Sequence, residues 1–350
     1  MQKLRRLNPF GKKPNKQMRE HYSQISSIYT KGRFINPEAS KRSLREIKYK
    51  DHIKGILNKK DLKPQVGIIP IIKQGGLIEL ESQQIGITWL GHSSAVVQIG
   101  GKVMLIDPVL GHYVSPFPIK SFSRFYKDIP IRAEELPNIH GVILSHNHYD
   151  HLDKDTILAI DHKVGSYYVP LGVNSYLEYW GIEKSKIITM NWWQESQLED
   201  VTIACTPSRH FSGRYGLDAD ASLWSSWVIQ YKDRKVFYSG DSSYGSHYKE
   251  IHKKYGSMEI VLMECGQYNK LWPDAHMMPE ESLAAAVDLN AKIILPVHWG
   301  AFSLSTHQWN DPPKKMTYLA NEANMEVIIP NIGQSILLNQ TENNESIWWR

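Results

Sequence analysis

Three histidines and one aspartate fall within six residues in the segment His146-Asn147-His148-Tyr149-Asp150-His151. Neutral imidazoles and carboxylates are the donors that Zn²⁺, Fe²⁺ or Mn²⁺ accept. His146 and His148, two apart in a tight loop, can chelate one ion, and Asp150 and His151 can turn toward a second. A lone His-x-His is weak evidence, because loop histidines are common. A solvated polar loop does not call for four such donors in six residues.

Further donors stand beyond short apolar runs. His146 follows Gly141–Leu144, and His210 follows Val201–Cys205 across Thr206-Pro207-Ser208-Arg209. Asp241 follows Val236–Tyr238 across Ser239-Gly240, and His298 follows Ile293–Val297. Each run reads as a β-strand, so four strands deliver a His or Asp just past their C-terminal ends. Side chains at such an edge can converge from distant sequence on one cleft. A bridging carboxylate, best assigned to Asp241, would join two ions roughly 3.5–4 Å apart, able to share a hydroxide and clamp both oxygens of a displacement.

The elements that must position these donors are short. Strand-like runs are Val66–Ile72, Ile85–Leu90, Ala95–Ile99, Val103–Ile106, Trp227–Tyr231 and Ile260–Met263, besides the four above. Helix-like stretches are Lys154–Asp161, Gly172–Trp180, Tyr248–Tyr255, Pro279–Leu289 and Pro313–Ala323. Pro279 with Glu280 and Glu281 suits a first helical turn. Strands recurring with helices between them predict an α/β sandwich over residues 66–340. Residues 1–65 read as a basic arm, irregular or partly helical, with Asn8-Pro9 and Asn36-Pro37 as breaks.

The net charge of +5 hides an asymmetry: residues 1–74 carry 19 Lys and Arg against 5 Asp and Glu. A basic arm on an acidic body suits an anionic membrane surface, the alternative being a solvated arm that aids solubility. No aromatic-interleaved basic pattern suggests nucleic acid as a partner. The longest apolar runs are too short to span a bilayer, and no apolar stretch near the start suggests a cleaved signal. Cys205 and Cys265 read as small buried residues in a reducing compartment. The expected location is cytoplasmic, peripheral on the inner membrane face if the arm binds lipid.

These features together resemble the metallo-β-lactamase superfamily. The segments that carry the resemblance are Thr88-Trp89-Leu90-Gly91-His92-Ser93, the His146–His151 string, Gly240-Asp241 and His298. Others are similar to the N-acyl-phosphatidylethanolamine-hydrolysing phospholipase D family and its bacterial relatives. They include Gly32-Arg33-Phe34-Ile35-Asn36-Pro37, Trp192-Trp193-Gln194-Glu195, Trp224-Ser225-Ser226-Trp227 and His298-Trp299-Gly300-Ala301-Phe302. The similarity runs from about residue 31 to 335. It implies a four-layer αββα sandwich with a dizinc site at the shared edge of two sheets. It also implies that His146, His148 and His210 bind one ion and Asp150, His151 and His298 the other, with Asp241 bridging. Other divalent transition metals remain open. His276 matches an active-site histidine of the family, here proposed to position phosphate or protonate the leaving oxygen. The alternative for His276 is an ordinary loop histidine at a helix entry. The catalytic assignment is therefore Asp150, Asp241 and His276, and a homodimer is implied as well.

The activity implied is phospholipase D hydrolysis of (N-acyl-)phosphatidylethanolamine-type phospholipids by a metal-activated hydroxide. The alternative is a lactonase acting on a sugar-phosphate or acyl lactone, where the same hydroxide attacks a carbonyl. Residues 241–298 leave little room for a nuclease's clamp domain, and His148 stands where di-iron oxidoreductases carry Glu. A scaffold with a vestigial site is disfavoured by the complete ligand set. Asp107 is expected either to orient a ligand histidine or to serve a turn with Pro108. His92 reads as site floor or a satisfied buried histidine. Trp192, Trp193, Trp224 and Trp227 read as core or cleft wall. The apolar segment Gln267–Met278 reads as an acyl-chain groove or as packing, and it departs from the family's sequence.

Overall fold

The computed structural model describes residues 8–38, 62–73, 77–81, 83–338 and 347–350. Its strands have apolar side chains on both faces. Along Val201–Thr206, Ile203 and Cys205 enter one core while Ala204 enters another. Along Arg234–Tyr238, Val236 and Tyr238 face inward while Phe237 faces outward. That alternation follows from the period of two of a strand. Burial on both faces explains the continuous apolar runs.

Sixteen strands can be numbered among the described residues. β1 (Tyr29–Thr30) and β2 (Arg33–Phe34) form a small hairpin. The first large sheet contains β3 (Ile85–Trp89), β4 (Ala95–Ile99), β5 (Lys102–Ile106), β6 (Ile139–Ile143), β7 (Val164–Pro170) and β8 (Ile187–Met190). The second contains β9 (Glu195–Leu198), β10 (Val201–Thr206), β11 (Ser226–Tyr231), β12 (Arg234–Tyr238), β13 (Ile260–Glu264), β14 (Ile293–Val297) and β15 (Glu326–Val327). β16 (Ser335–Leu337) returns to pair antiparallel with β3 at the edge of the first sheet. The core between the sheets holds Ile87, Trp89 and Val97 from one and Ile203, Trp227 and Leu262 from the other.

Helices cover the outer faces. After α1 (Lys16–Ile25), α2 (Lys154–Ile160) and α3 (Asn174–Tyr179) pack Ile157, Ile160, Tyr176 and Leu177 against Val96, Leu105 and Val142. α4 (His247–Tyr255), α5 (Pro279–Asp288) and α6 (Asp311–Glu322) pack Tyr248, Ile251, Ala285 and Met316 against the second sheet. The architecture is the expected αββα sandwich. At the start of α5, Pro279 opens the helix and Glu281 accepts the Met278 N–H at 2.9 Å.

Within the basic arm, residues 8–38 lie on this body. α1 is capped by Asn15, whose Oδ1 accepts the Met18 N–H at 2.9 Å. Tyr22, Tyr29 and Phe34 pack with Leu171, Leu223 and Trp224. Residues 1–7 and 39–61, which carry most of the arm's remaining charge, lie outside the described residues. The strand expected over Val66–Ile72 does not form. Its residues give a single bridge between Ile71 and Ile332, and Val66 is almost fully exposed. Pro70 has no N–H to offer a ladder, which explains the failure of an otherwise apolar run.

Candidate metal centre

β3, β5 and β6 point the same way in the first sheet, as do β10, β12, β13 and β14 in the second. The antiparallel strands β4 and β11 return the chain between them. Seven strand ends therefore deliver His92, Asp107, the 144–151 loop, His210, Asp241, Glu264 and His298 to one edge. The two sheets are tied together there. The His92 N–H donates to the Trp299 carbonyl and the His298 N–H to the His92 carbonyl, each at 2.9 Å. Ser225 N–H donates to the Ser145 carbonyl at 3.0 Å.

Tight turns set the aim of the side chains. His92, Asp107 and His298 adopt φ of 52°, 34° and 68°, a left-handed region unusual for residues with a Cβ. Gly240, at φ 56°, precedes Asp241. A Cβ there would stand 2.6 Å from the Ser225 carbonyl oxygen and 2.8 Å from Ser145 Cβ. Only glycine lets the two sheet edges approach so closely at this turn.

One group of donors is His146 Nε2, His148 Nδ1, His210 Nε2 and Asp241, all within 4.8 Å of one another. His146 Nε2 and His210 Nε2 lie 2.7 and 3.2 Å from His148 Nδ1, and 3.8 and 3.6 Å from Asp241 Oδ2. A second group is Asp150, His151, His298 and His92. His151 Nε2 and His298 Nε2 lie 3.4 and 3.3 Å from Asp150 Oδ2. Asp241 joins the groups: its Oδ2 is 3.3 Å from His298 Nε2 and its Oδ1 is 3.1 Å from His151 Nε2. All seven residues predicted as ligands are brought together.

Hydrogen bonds behind the rings fix which nitrogen faces inward. His151 Nδ1 meets Asp107 Oδ2 at 2.7 Å, His210 Nδ1 meets the Ala275 carbonyl at 2.8 Å, and His298 Nδ1 meets the Gly266 carbonyl at 3.3 Å. Each Nδ1–H is thereby engaged, leaving the Nε2 lone pair for a metal. Asp107 also accepts the Ser145 N–H at 2.7 Å and the hydroxyls of Ser145 and Tyr238. It thus orients the His151 ring rather than serving only a turn.

The electrostatics fit divalent cations. Burial pushes His146 and His210 well below the ordinary histidine value, and His148 down to about 4, so these rings are neutral. Burial alone would raise Asp150 and Asp241, yet His151 and the neighbouring rings outweigh it and hold both carboxyls ionised. Burial likewise opposes protonation of His151, but Asp241, Asp150 and Asp107 raise it well above the usual range. The carboxylates thus hold a positive charge at a ring whose Nε2 belongs to the donor set, a place a cation can fill. Two buried atoms agree: His151 Nε2 and Asp241 Oδ1 lie 3.1 Å apart in a contact that lacks hydrogen-bond geometry, and neither has another hydrogen-bond partner. A lone orphan of this kind is costly unless something else satisfies it.

Outside the ligand set, His276 stands beside the centre, with Nδ1 3.0 Å from Glu264 Oε2 and 4.0 Å from Asp241 Oδ2. Glu264 is fully buried and also accepts the Met277 N–H at 2.7 Å. Sequence reasoning missed Glu264, because the apolar run was ended at Met263. An acidic residue closing the next strand in the series was the available signal. His92 is fully buried beside the centre: its Nε2 lies 2.9 Å from Asp150 Oδ2, and its ring 4.4 Å from that of His298.

Other candidates resolve into packing. Trp224 and Trp227 are fully buried, their indole N–H groups bonded to the carbonyls of Ser208 and Leu144. Trp192 donates to the Trp224 carbonyl, and Trp193 packs against the outer core of the second sheet. In the segment Gln267–Met278, Tyr268, Trp272 and Met277 are buried, and only Leu271 is exposed among its large apolar side chains. That segment is packing, not the open groove that an acyl chain would enter.

A family model described as a beta-lactamase superfamily domain matches residues 102–299, a span that includes all seven candidate ligands. The chain belongs to the metallo-β-lactamase superfamily. An uncharacterized protein of Mycobacterium tuberculosis is 34% identical over 260 residues, 73% of this chain and 69% of that one. The N-acyl-phosphatidylethanolamine-hydrolyzing phospholipase D 1 of Caenorhabditis elegans is 30% identical over 240 residues, 65% of this chain and 67% of that one. Among solved structures, the metallo hydrolase Igni18 of Ignicoccus hospitalis superposes with a TM-score of 0.56 at 20% identity, covering 73% of this chain and 99% of that one. This last likeness shows the fold alone.

Proposed function

We propose that this metal-dependent hydrolase of the metallo-β-lactamase superfamily holds two divalent ions, zinc foremost. We further propose that it cleaves (N-acyl-)phosphatidylethanolamine-type phospholipids in a phospholipase D reaction. The observation that carries the two-ion reading is Asp241, one carboxylate within reach of both imidazole groups. His146, His148 and His210 would hold one ion, and Asp150, His151 and His298 the other. The lipid substrate class is supported by the likeness to the Caenorhabditis elegans enzyme.

When bound, a divalent pair supplies Lewis acidity and lowers the pKa of water, as attack on a phosphodiester requires. The chain's own residues supply the rest. Asp107 and the carbonyls of Ala275 and Gly266 keep the ligand rings aimed. Glu264 holds His276 by Nδ1, which leaves Nε2 to give a proton to the departing ethanolamine oxygen. Water oxygen bonds to phosphorus and releases a proton to solvent, the phosphorus–oxygen bond to the ethanolamine breaks, and His276 returns to its acid form by taking a proton from solvent. The products are phosphatidic acid and a free or N-acylated ethanolamine.

Hydrolysis of N-acyl-phosphatidylethanolamine in ¹⁸O-water tests this directly. The label is expected in phosphatidic acid. Label in the ethanolamine hydroxyl would contradict attack at phosphorus. Metal-dependent turnover of lactones with none of phospholipid would overturn the substrate class.

A further inference from the structure

Three separated segments meet on the surface beside the ligand loop. Phe10 lies with its ring 5.9 Å from Phe117 and 6.0 Å from Tyr215. Around this aromatic group, Phe117, Ile119 and Leu217 are 57%, 42% and 80% exposed, unusual for such side chains close together. Lysines adjoin them. Lys13 Nζ donates to the Leu217 carbonyl at 3.2 Å, and Lys63 Nζ donates to the Lys120 carbonyl at 3.2 Å. Lys12, Lys13, Lys63 and Lys120 are all exposed.

Both loops beneath the patch are anchored to the metal centre. Arg214, next to Tyr215, stacks 3.9 Å over the Tyr149 ring and donates to the Asn147 carbonyl at 2.8 Å, within the ligand loop. Val114 and Phe122 pack with Phe302, whose ring lies 5.3 Å from His92. The patch is therefore held at the same edge as the donors, on a frame that the ligand loop itself stiffens.

Exposed aromatic and aliphatic side chains rimmed by lysines match the two layers of a bilayer interface. Apolar groups enter the acyl boundary while ammonium groups meet anionic headgroups. We propose that Phe117, Ile119 and Leu217, with Lys12, Lys13, Lys63 and Lys120, form a docking surface for a bilayer carrying anionic lipid, which brings phospholipid to the centre. As a partner for the substrate, this surface rests on the phospholipase reading above. It locates membrane contact in a composite face, not in the charge of the N-terminal arm alone.

Co-sedimentation of the full chain with vesicles tests it. Phosphatidylcholine vesicles containing phosphatidylglycerol should bind the protein, and pure phosphatidylcholine vesicles should bind it at least tenfold less. The triple variant F117S/I119S/L217S should lower partitioning at least tenfold, with an unchanged melting temperature and unchanged hydrolysis of soluble bis(p-nitrophenyl) phosphate. Charge reversal in K12E/K13E/K120E should weaken anionic-vesicle binding by about fivefold or more per lysine at low salt, since each is worth about 1 kcal/mol near the surface.

Partitioning of the serine variant within twofold of wild type overturns the proposal. So does conversion of a dimer to a monomer by that variant with vesicle binding intact, which makes the face a contact between copies of this chain. Hydrolysis of dispersed phospholipid by a protein that binds no vesicle removes the surface and keeps the phospholipase. Vesicle binding by a protein that turns over no phospholipid keeps the surface and removes the phospholipase.

Discussion

The Oδ2 of Asp107 lies 2.7 Å from Nδ1 of His151, with both side chains inaccessible to solvent. This pair links a carboxylate outside the proposed ligand set to a ring within it. Replacing Asp107 by Asn keeps the size but loses the charge that selects the His151 tautomer. Competition with a chromogenic chelator should show D107N binding its weaker ion about 10–100-fold less tightly. Unchanged affinity at both sites would leave Asp107 with a packing role only.

Asp241 has the opposite position, touching both donor groups. The D241N variant keeps the side chain's size and hydrogen bonding but removes the bridging negative charge. Elemental analysis after dialysis should find about two metal ions per wild-type chain and one or fewer per D241N chain, with turnover down about 10³-fold. Two ions retained in D241N would mean that the centre does not depend on a bridge.

Glu264 and His276 make a separable prediction about proton transfer. Variants H276A and E264Q should lose about 10²–10⁴-fold against an alkyl phosphodiester, whose leaving group needs a proton. Against bis(p-nitrophenyl) phosphate, whose leaving group departs as an anion, the loss should be within about tenfold. Equal losses on both substrates would assign the pair to structure.

Arg214 tests how the ligand loop is held. Its guanidinium donates to the carbonyls of Asn147 and Leu152, each at 2.8 Å, and to that of Pro9 at 3.0 Å. An R214A change strands these acceptors in a buried place, at a cost of about 3 kcal/mol. R214K restores charge without the planar fork and should recover little. Denaturant titration of both variants checks this, and full recovery by lysine would contradict it.

Burial lowers His247 to about 3, with Ser242 Oγ 3.2 Å from Nε2. Its folded value lies below its unfolded value of about 6.5, so the unfolded chain takes up the proton first as pH falls. The stability that depends on a neutral His247 is complete above pH 6.5 and is lost from there down toward pH 3. Between pH 7 and pH 5 the loss is about 2 kcal/mol from this residue. The variant H247Q should therefore lose less stability over that interval than wild type, and equal losses would contradict a neutral buried ring.

The candidate ligands were legible because each stands beyond an apolar run that both sheet faces bury. Val201–Thr206, Arg234–Tyr238 and Ile293–Val297 needed only residue type and length to be seen. Glu195–Leu198 escaped because it is an edge strand of polar, half-exposed residues, and Val164–Pro170 because Gly165 and Pro170 break its pattern. Glu326–Val327 and Ser335–Leu337 are too short to carry a period. The run Val66–Ile72 shows the converse error, since apolar composition cannot supply the N–H missing from Pro70. Glu264 entered the site only through distances that residues far apart in sequence create, and such distances also decided between the two readings of Asp107.

The most direct test of the two-metal phospholipase account measures metal content and phosphatidic acid formation on one sample of protein. Zinc is added stepwise to the metal-free chain in the presence of N-acyl-phosphatidylethanolamine. No product is expected without metal, and activity should reach its plateau at about two ions per chain. Phospholipid turnover by the fully metal-free protein, or none by a chain carrying two ions, would contradict it.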